Sequence, residues 1–329
     1  MDRYELLNRI TTFPLIARGL ADDLLSGDFR AVFKGQGMEF DEVRHYEMGD
    51  DVRSIDWNVS ARFGTPFVKM YREEREMTVC IIIDNSASMH TPGGDLSDSP
   101  GSELNRYEQA VMAAALIAFS AEQAGQRLSM IFFDNEISKI IPPRKGRQHT
   151  MAVISAALEA RPLEKGSGLG KALVGAERLL KRRSLVIIIS DFLCINWEQE
   201  IGDLSRRHDV ISIKISGPLD SEMPRSGLLT LEDPETGLKL RASSSFYSFR
   251  RAWAAWHEER VKLWEAICRR SGAACLELST ADDAAAVLMR FFRRGSSPRR
   301  SFAAGSSPWG SSPAHQRYAG AGRNHRSYR

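Results

Sequence analysis

The run "MTVCIIIDNSASMH", Met77 to His90, holds two patterns back to back. Val79 to Ile83 are apolar without a break, and three of the five are isoleucine. A continuous run rich in β-branched residues predicts a strand of a parallel sheet, buried on both faces. The run stops at Asp84, and Ser86 and Ser88 follow at spacing two. Alternate residues of an extended turn point the same way, so both hydroxyls can face the Asp84 carboxylate. Three oxygen side chains this close, with no His or Cys among them, suit a hard cation such as Mg²⁺ or Mn²⁺. The plainer alternative is that Asp and Ser cap whatever follows the strand.

A second run, "SLVIIISDF" (184–192), ends in Asp191 in the same way. Between and beyond the two runs, strands and helices alternate. "ELNRYEQAVMAAALIAFSAEQAG" (103–125) is an amphipathic helix. "RLSMIFF" and "ISKIIP" flank Asp134-Asn135-Glu136 as a hairpin. "HTMAVISAALEA" and "GKALVGAERLLKR" are helices, as is "WEQEIGDLSRR", and "DVISIKIS" is a strand. "GLLTLEDPETGLKLRA" is a hairpin turning at Glu235-Thr236-Gly237, and a long helix covers 246–270. "ACLELS" and "DAAAVLMRFFRR" close the series. This alternation predicts an α/β fold: a doubly wound, mostly parallel sheet with helices on both faces. In such sheets ligands bind at the carboxyl ends of the strands, at the switch point. If the two runs are neighbours, Asp84 and Asp191 project into one crevice.

The chain has 329 residues, 43% of them hydrophobic and 26% charged, and a chain of that size buries about 75% of its unfolded surface. The net charge is +3, but the tail from Gly295 to Arg329 holds six arginines and no acid, leaving 39 basic residues against 42 acidic ones. The excess of base therefore belongs to the tail and gives no reason to expect nucleic acid on the body. "GSSP" recurs at Gly295, Gly305 and Gly310, and the tail is expected to be disordered. The expected organisation is an N-terminal extension over 1–76, with a helix over 3–25, then an α/β domain over 77–294 and the tail over 295–329.

The four cysteines, Cys80, Cys194, Cys268 and Cys275, form no CxxC pair and read as reduced thiols. "MDRYELLNRITTF" lacks the apolar core of a signal peptide, and "VMAAALIAFSA" is too short to span a bilayer. A cytoplasmic protein without a transmembrane segment is expected. There is no GxxxxGK[ST] loop for ATP, no GxSxG elbow and no HExxH pair. His45, His90 and His208 read as surface or loop residues. Cys194 reads as a buried apolar residue near Asp191. Trp253, Trp256 and Trp264 read as a stripe packed on the sheet.

"DNSASM" resembles the DxSxS motif of von Willebrand factor A domains, which build a metal-ion-dependent adhesion site. The resemblance implies three loops around one ion. Asp84, Ser86 and Ser88 come from the first. In "GSGLGKAL" Ser167 stands where relatives usually have Thr, and Gly168 stands where many have an acid. Asp191 comes from the third loop. It also implies that a partner's acid completes the coordination shell. A longer stretch, "GQGMEFDEVRHYEMGDDVRSIDWNVSARFGTPFVKMYREERE" (35–76), resembles a bacterial family of unknown function encoded beside MoxR-type AAA+ ATPases. "PPRKGR", "SDF", "RHDV" and "LEDPETG" match the same family. This resemblance implies a non-enzymatic adaptor working with such an ATPase to remodel or mature other proteins, a client's acidic residue being the partner of the ion.

Within the 35–76 segment, Glu39, Asp41, Glu42, Asp50, Asp51 and Asp56 interleave with Arg44, Arg53 and Arg62, a pattern for Arg–carboxylate pairs. Tyr46 and Trp57 are its aromatic anchors. The segment either locks the domain or docks the ATPase, and the sequence leaves both open. Two rival functions are also open. One is a metal-dependent hydrolase of the phosphoesterase type, for which His90 is the one nearby candidate base. The other is a structural domain with a vestigial site.

Overall fold

A computed structural model describes residues 10, 13, 17, 20, 39–48, 50–72, 77–91, 104–163 and 166–293. The tail over 295–329, most of the helix over 3–25 and the loop after Thr91 lie outside these residues. The chain divides into Met1–Arg299 and Arg300–Arg329, and everything below concerns the first unit.

Strands β1 (Glu39–His45) and β2 (Phe67–Arg72) pair antiparallel in a small sheet of their own, with a bulge between Phe40 and Glu42. Between them lies helix α1 (Trp57–Phe63), capped by Asp56, whose Oδ1 accepts the Asn58 and Val59 amides. Of the charge pairs expected here, Arg44 meets Asp50 at 2.6 Å; Glu47, outside the expected set, lies 3.8 Å from the same guanidinium. The hydrogen bond with Arg44 holds the Asp50 carboxyl below its usual range.

The central sheet uses β3 (Thr78–Asp84), β4 (Arg127–Phe133), β5 (Ile137–Arg144), β6 (Leu185–Ser190), β7 (Asp209–Ser216) and β10 (Ala274–Ser279), in the order β10-β7-β6-β3-β4-β5. All neighbours are parallel except β5, which returns antiparallel on β4. β8 (Leu228–Glu232) and β9 (Lys239–Ser243) form a separate antiparallel hairpin. The expected doubly wound, mostly parallel sheet is therefore present.

Helices cover both faces. Helices α2 (Arg106–Gln123), α3 (Arg147–Glu159) and α8 (Ala284–Arg293) bury one face with Val79, Ile81 and Ile83. Ile10, Phe13, Ala17 and Leu20 are buried in that same cluster. On the other face, α4 (Leu169–Leu179), α5 (Glu198–Arg207) and α7 (Tyr247–Ser271) pack on Cys80, Ile82, Val186 and Ile188. The one-turn helix α6 (Pro218–Ser221) follows β7. Both faces of β3 and β6 are covered, which is why their sequences are unbroken rather than alternating. Each isoleucine buried this way contributes about 1.5–3 kcal/mol.

The chain runs from β3 to β4 and β5 on one side, then crosses to β6 on the other. The switch point therefore lies between β3 and β6, and the loops after these strands open there. Among the described residues, no helix is long and apolar enough to cross a membrane.

Candidate functional site

β3 and β6 are neighbours, with Ile83 opposite Ile189. That register sets Asp84 beside Ser190, on the face that carries Ile82 and Ile188. Asp84 is wholly buried. Its Oδ1 accepts the Ser86 amide at 2.9 Å. Its Oδ2 accepts the Ser190 hydroxyl at 2.6 Å and the Ser167 hydroxyl at 3.4 Å. Ser86 Oγ and Ser88 Oγ lie 3.1 Å apart. Asp191, also buried, accepts the Leu193 amide on Oδ1 at 3.0 Å, while its buried Oδ2 has no hydrogen-bond partner. Burial first, and then the charge of Asp191, push the Asp84 carboxyl up to about 7, against the opposing hydrogen bonds from Ser190 and Ser86.

Each loop is fixed by something outside it. In the first, Arg106 donates to the Ser88 carbonyl at 3.2 Å and ion-pairs with Asp220 after β7. The second is gripped by the β4–β5 turn. The Leu163 amide donates to Asp134 Oδ2 at 3.0 Å, and the Gly168 amide donates to the Asp134 carbonyl at 2.5 Å. A Cβ at Gly168 would overlap the Asn135 carbonyl oxygen. The position is thus closed to any side chain. In the third loop Phe192 has φ +54°, left-handed for an aromatic residue, at a cost of roughly 1–2 kcal/mol. Its ring is held between Trp197 and Trp264, and its carbonyl accepts Arg260 at 3.0 Å. Lys214, buried on β7, donates to the Asp191 carbonyl at 2.7 Å. Burial lowers the pKa of that ammonium, and the nearby acids Asp191, Asp220 and Glu277 partly restore it.

The structure thus brings Asp84, Ser86, Ser88 and Ser167 into contact through hydrogen bonds and sets Asp191 close by. Four further residues were not anticipated. Ser190 is the single hydroxyl at the end of "LVIIIS", a signal that sequence reading could have used. Lys214 is the one charge inside "VISIKIS", an equally visible irregularity. Arg106 gave no signal. Neither did Glu235, which reaches the site from the β8–β9 turn. Its Oε1 accepts the Ser88 amide at 2.8 Å and its Oε2 accepts the Gly166 amide at 2.5 Å.

Two expectations are corrected, those for His208 and Trp256. His90 lies in the loop after β3, where it stacks on Tyr107 at 4.3 Å and donates to Asn85 Oδ1 at 2.9 Å. Burial lowers its pKa to about 4. His208 is buried rather than exposed. Of the three tryptophans on α7, Trp264 is buried but Trp256 is 47% exposed under Arg260. At 100° per residue, Trp264 returns to within about 20° of Trp253, whereas Trp256 stands about 60° round the helix. Cys194 does lie beside the site, and burial, with Asp84 and Asp191 next, pushes its thiol up to about 12. A thiol raised that far stays protonated at neutral pH.

The donor set is all hard oxygen: two carboxylates and three hydroxyls. Among the described residues no three or more His, Cys, Asp and Glu side chains cluster in a way that would hold a metal. That is no site for a soft transition metal, which wants imidazole or thiolate. A small hard cation that keeps some of its waters fits the hydroxyls, and it would satisfy the orphaned Asp191 Oδ2.

The model of the family described as "Protein of unknown function DUF58" matches residues 42–262, more than half of the chain. The chain belongs to this family. It is 33% identical over 304 residues to the "Uncharacterized protein Rv1480" of Mycobacterium tuberculosis, a match that spans 90% of this chain and 92% of that one. "Uncharacterized protein Mb1516" of Mycobacterium bovis matches by the same figures. Among solved structures, a von Willebrand factor type A protein from Catenulispora acidiphila aligns over 69% of this chain and 43% of its own, at 15% identity and a TM-score of 0.37.

Proposed function

We propose that this DUF58 protein is a non-enzymatic adaptor that binds an acidic group of a partner protein through a divalent cation. Asp84, Ser86, Ser88, Ser167 and Asp191 would hold the ion, Mg²⁺ or Mn²⁺. The ion would supply a positive centre for the partner's carboxylate. The observation that carries this reading is the buried, partnerless Oδ2 of Asp191 next to a second buried carboxylate. Two such acids in one dry crevice repel each other unless a cation or a proton joins them. Ser190, Lys214 and Arg106 are positioning residues: they aim Asp84, Asp191 and the Ser88 loop.

His90, the one candidate base for a hydrolase, counts against turnover. Its ring is committed to Asn85 and stacked on Tyr107. The partner that drives the adaptor would be a MoxR-type AAA+ ATPase, docked on the N-terminal segment. That segment leaves Met48, Val52, Trp57 and Phe63 exposed, more apolar surface than a solvated linker needs.

The test is a pull-down of the ATPase and of acidic clients with the full chain, with Mg²⁺ or with chelator. The expected result is client capture that needs the ion and is lost in Asp84→Ala, and ATPase capture that is lost in Trp57→Ala. Hydrolysis of a generic phosphoester by the wild type but not by Asp84→Ala would replace the adaptor with an enzyme.

A further inference from the structure

The turn at the tip of β8–β9 satisfies itself and sends one group outward. Asp233 Oδ1 accepts the Glu235 amide at 3.0 Å, and Asp233 Oδ2 accepts the Thr236 hydroxyl at 2.5 Å. The Gly237 amide donates to the Asp233 carbonyl at 2.7 Å, with Gly237 at φ +72°. The Glu235 carboxylate takes no part in this. It crosses to the site and accepts one backbone amide from the first loop, at Ser88, and one from the second, at Gly166. These are the loops that carry the Ser88 and Ser167 hydroxyls. Two amides from two converging loops form a receptor for a carboxylate, and an acid of the same chain sits in it.

We infer that Glu235 is a built-in stand-in for the partner's acid, and that the β8–β9 hairpin is a latch an incoming carboxylate must displace. This rests on the reading of the cleft as a carboxylate receptor. The hairpin is suited to leave. Among the described residues it pairs only with itself, outside the central sheet, and it exposes Leu228, Leu238 and Leu240. A closed latch lowers the apparent affinity for an outside acid by the fraction of time the latch is shut.

Acetate is the probe, used on the full chain with and without Mg²⁺. The backbone amide signals of Ser88 and Gly166 report occupancy by NMR, and amide exchange over Leu228–Ser243 reports hairpin opening. Glu235→Ala is expected to bind acetate about tenfold or more tightly than wild type. Glu235→Gln, which keeps the shape but drops the charge, is expected to fall between them. Hairpin exchange should rise in both variants. Equal acetate affinity in wild type and both variants overturns the latch, as does loss of Mg²⁺ binding in Glu235→Ala, which would make Glu235 an obligatory ligand. Tighter acetate binding by the variants with no response to Mg²⁺ anywhere keeps the latch and removes the ion. Mg²⁺ binding without discrimination between the proteins does the reverse.

Discussion

Two antiparallel hairpins reach the same loop by the same chemistry, an acid accepting backbone amides, yet they are built for different tasks. The β4–β5 hairpin is part of the central sheet, and its tip residue Asp134 is buried. Asp134 grips Leu163 through its carboxylate and Gly168 through its carbonyl. The β8–β9 hairpin stands apart from that sheet, and its tip residue Glu235 is only half-buried where it meets Ser88 and Gly166. A carboxylate-to-amide bond is strong in either place, but the surroundings decide whether it can open. The Asp134 carboxylate is itself buried, whereas water can reach the half-buried Glu235 carboxylate and replace its bonds. The first hairpin is a fixture of the site and the second a removable contact.

The contrast makes graded predictions. Asp134→Ala should cost most, about 3 kcal/mol of unfolding free energy in denaturant titration, because it leaves the Leu163 and Glu136 amides without their acceptor. A loss under 1 kcal/mol would mean that the fixed hairpin is not fixed.

Asp84→Asn should come next, with the opposite sign. The carboxyl of Asp84 is raised from 3.8 to about 7 by burial and by Asp191, with Cys194 also at hand. A raised acid favours the folded state below pH 4, and that stability is lost as pH climbs through 7. Without an ion, the wild type should therefore weaken from pH 4 to pH 7. Asp84→Asn should lack that slope and be more stable at pH 7, by roughly 2 kcal/mol. Parallel pH profiles of melting temperature for the two proteins would refute the carboxylate repulsion.

Gly168→Ala should destabilise by about 1–2 kcal/mol, since the added methyl must push the Asn135 carbonyl aside. Circular-dichroism melts suffice to see it. Glu235→Gln should be the mildest, within about 1 kcal/mol of wild type. If it unfolds the protein as Asp134→Ala does, the two hairpins are equivalent supports.

The sequence revealed the sheet because its strands are extreme. "VCIII" and "LVIII" are too apolar and too β-branched for any other environment, and the acids that end them marked the strand termini. Asp84, Ser86, Ser88 and Asp191 were visible because they follow those termini within a few residues. Ser167 came only from a resemblance, since a lone serine in a glycine-rich loop has no signature of its own. Glu235 was hidden for a physical reason. Its partners lie 147 and 69 residues away, and periodicity carries no information at that range. The turn chemistry of "DPETG" predicted the bend but not what its acid would touch. Trp256 was misjudged because the angle around α7 is decided by packing.

The most direct measurement is a Mn²⁺ titration of the purified full chain followed by the EPR signal of the free ion. One ion per chain should be bound by the wild type, Mg²⁺ should displace it, and Asp84→Ala and Asp191→Ala should bind none. Equal uptake by all three proteins, or none by the wild type, would contradict a cation held among Asp84, Ser86, Ser88, Ser167 and Asp191.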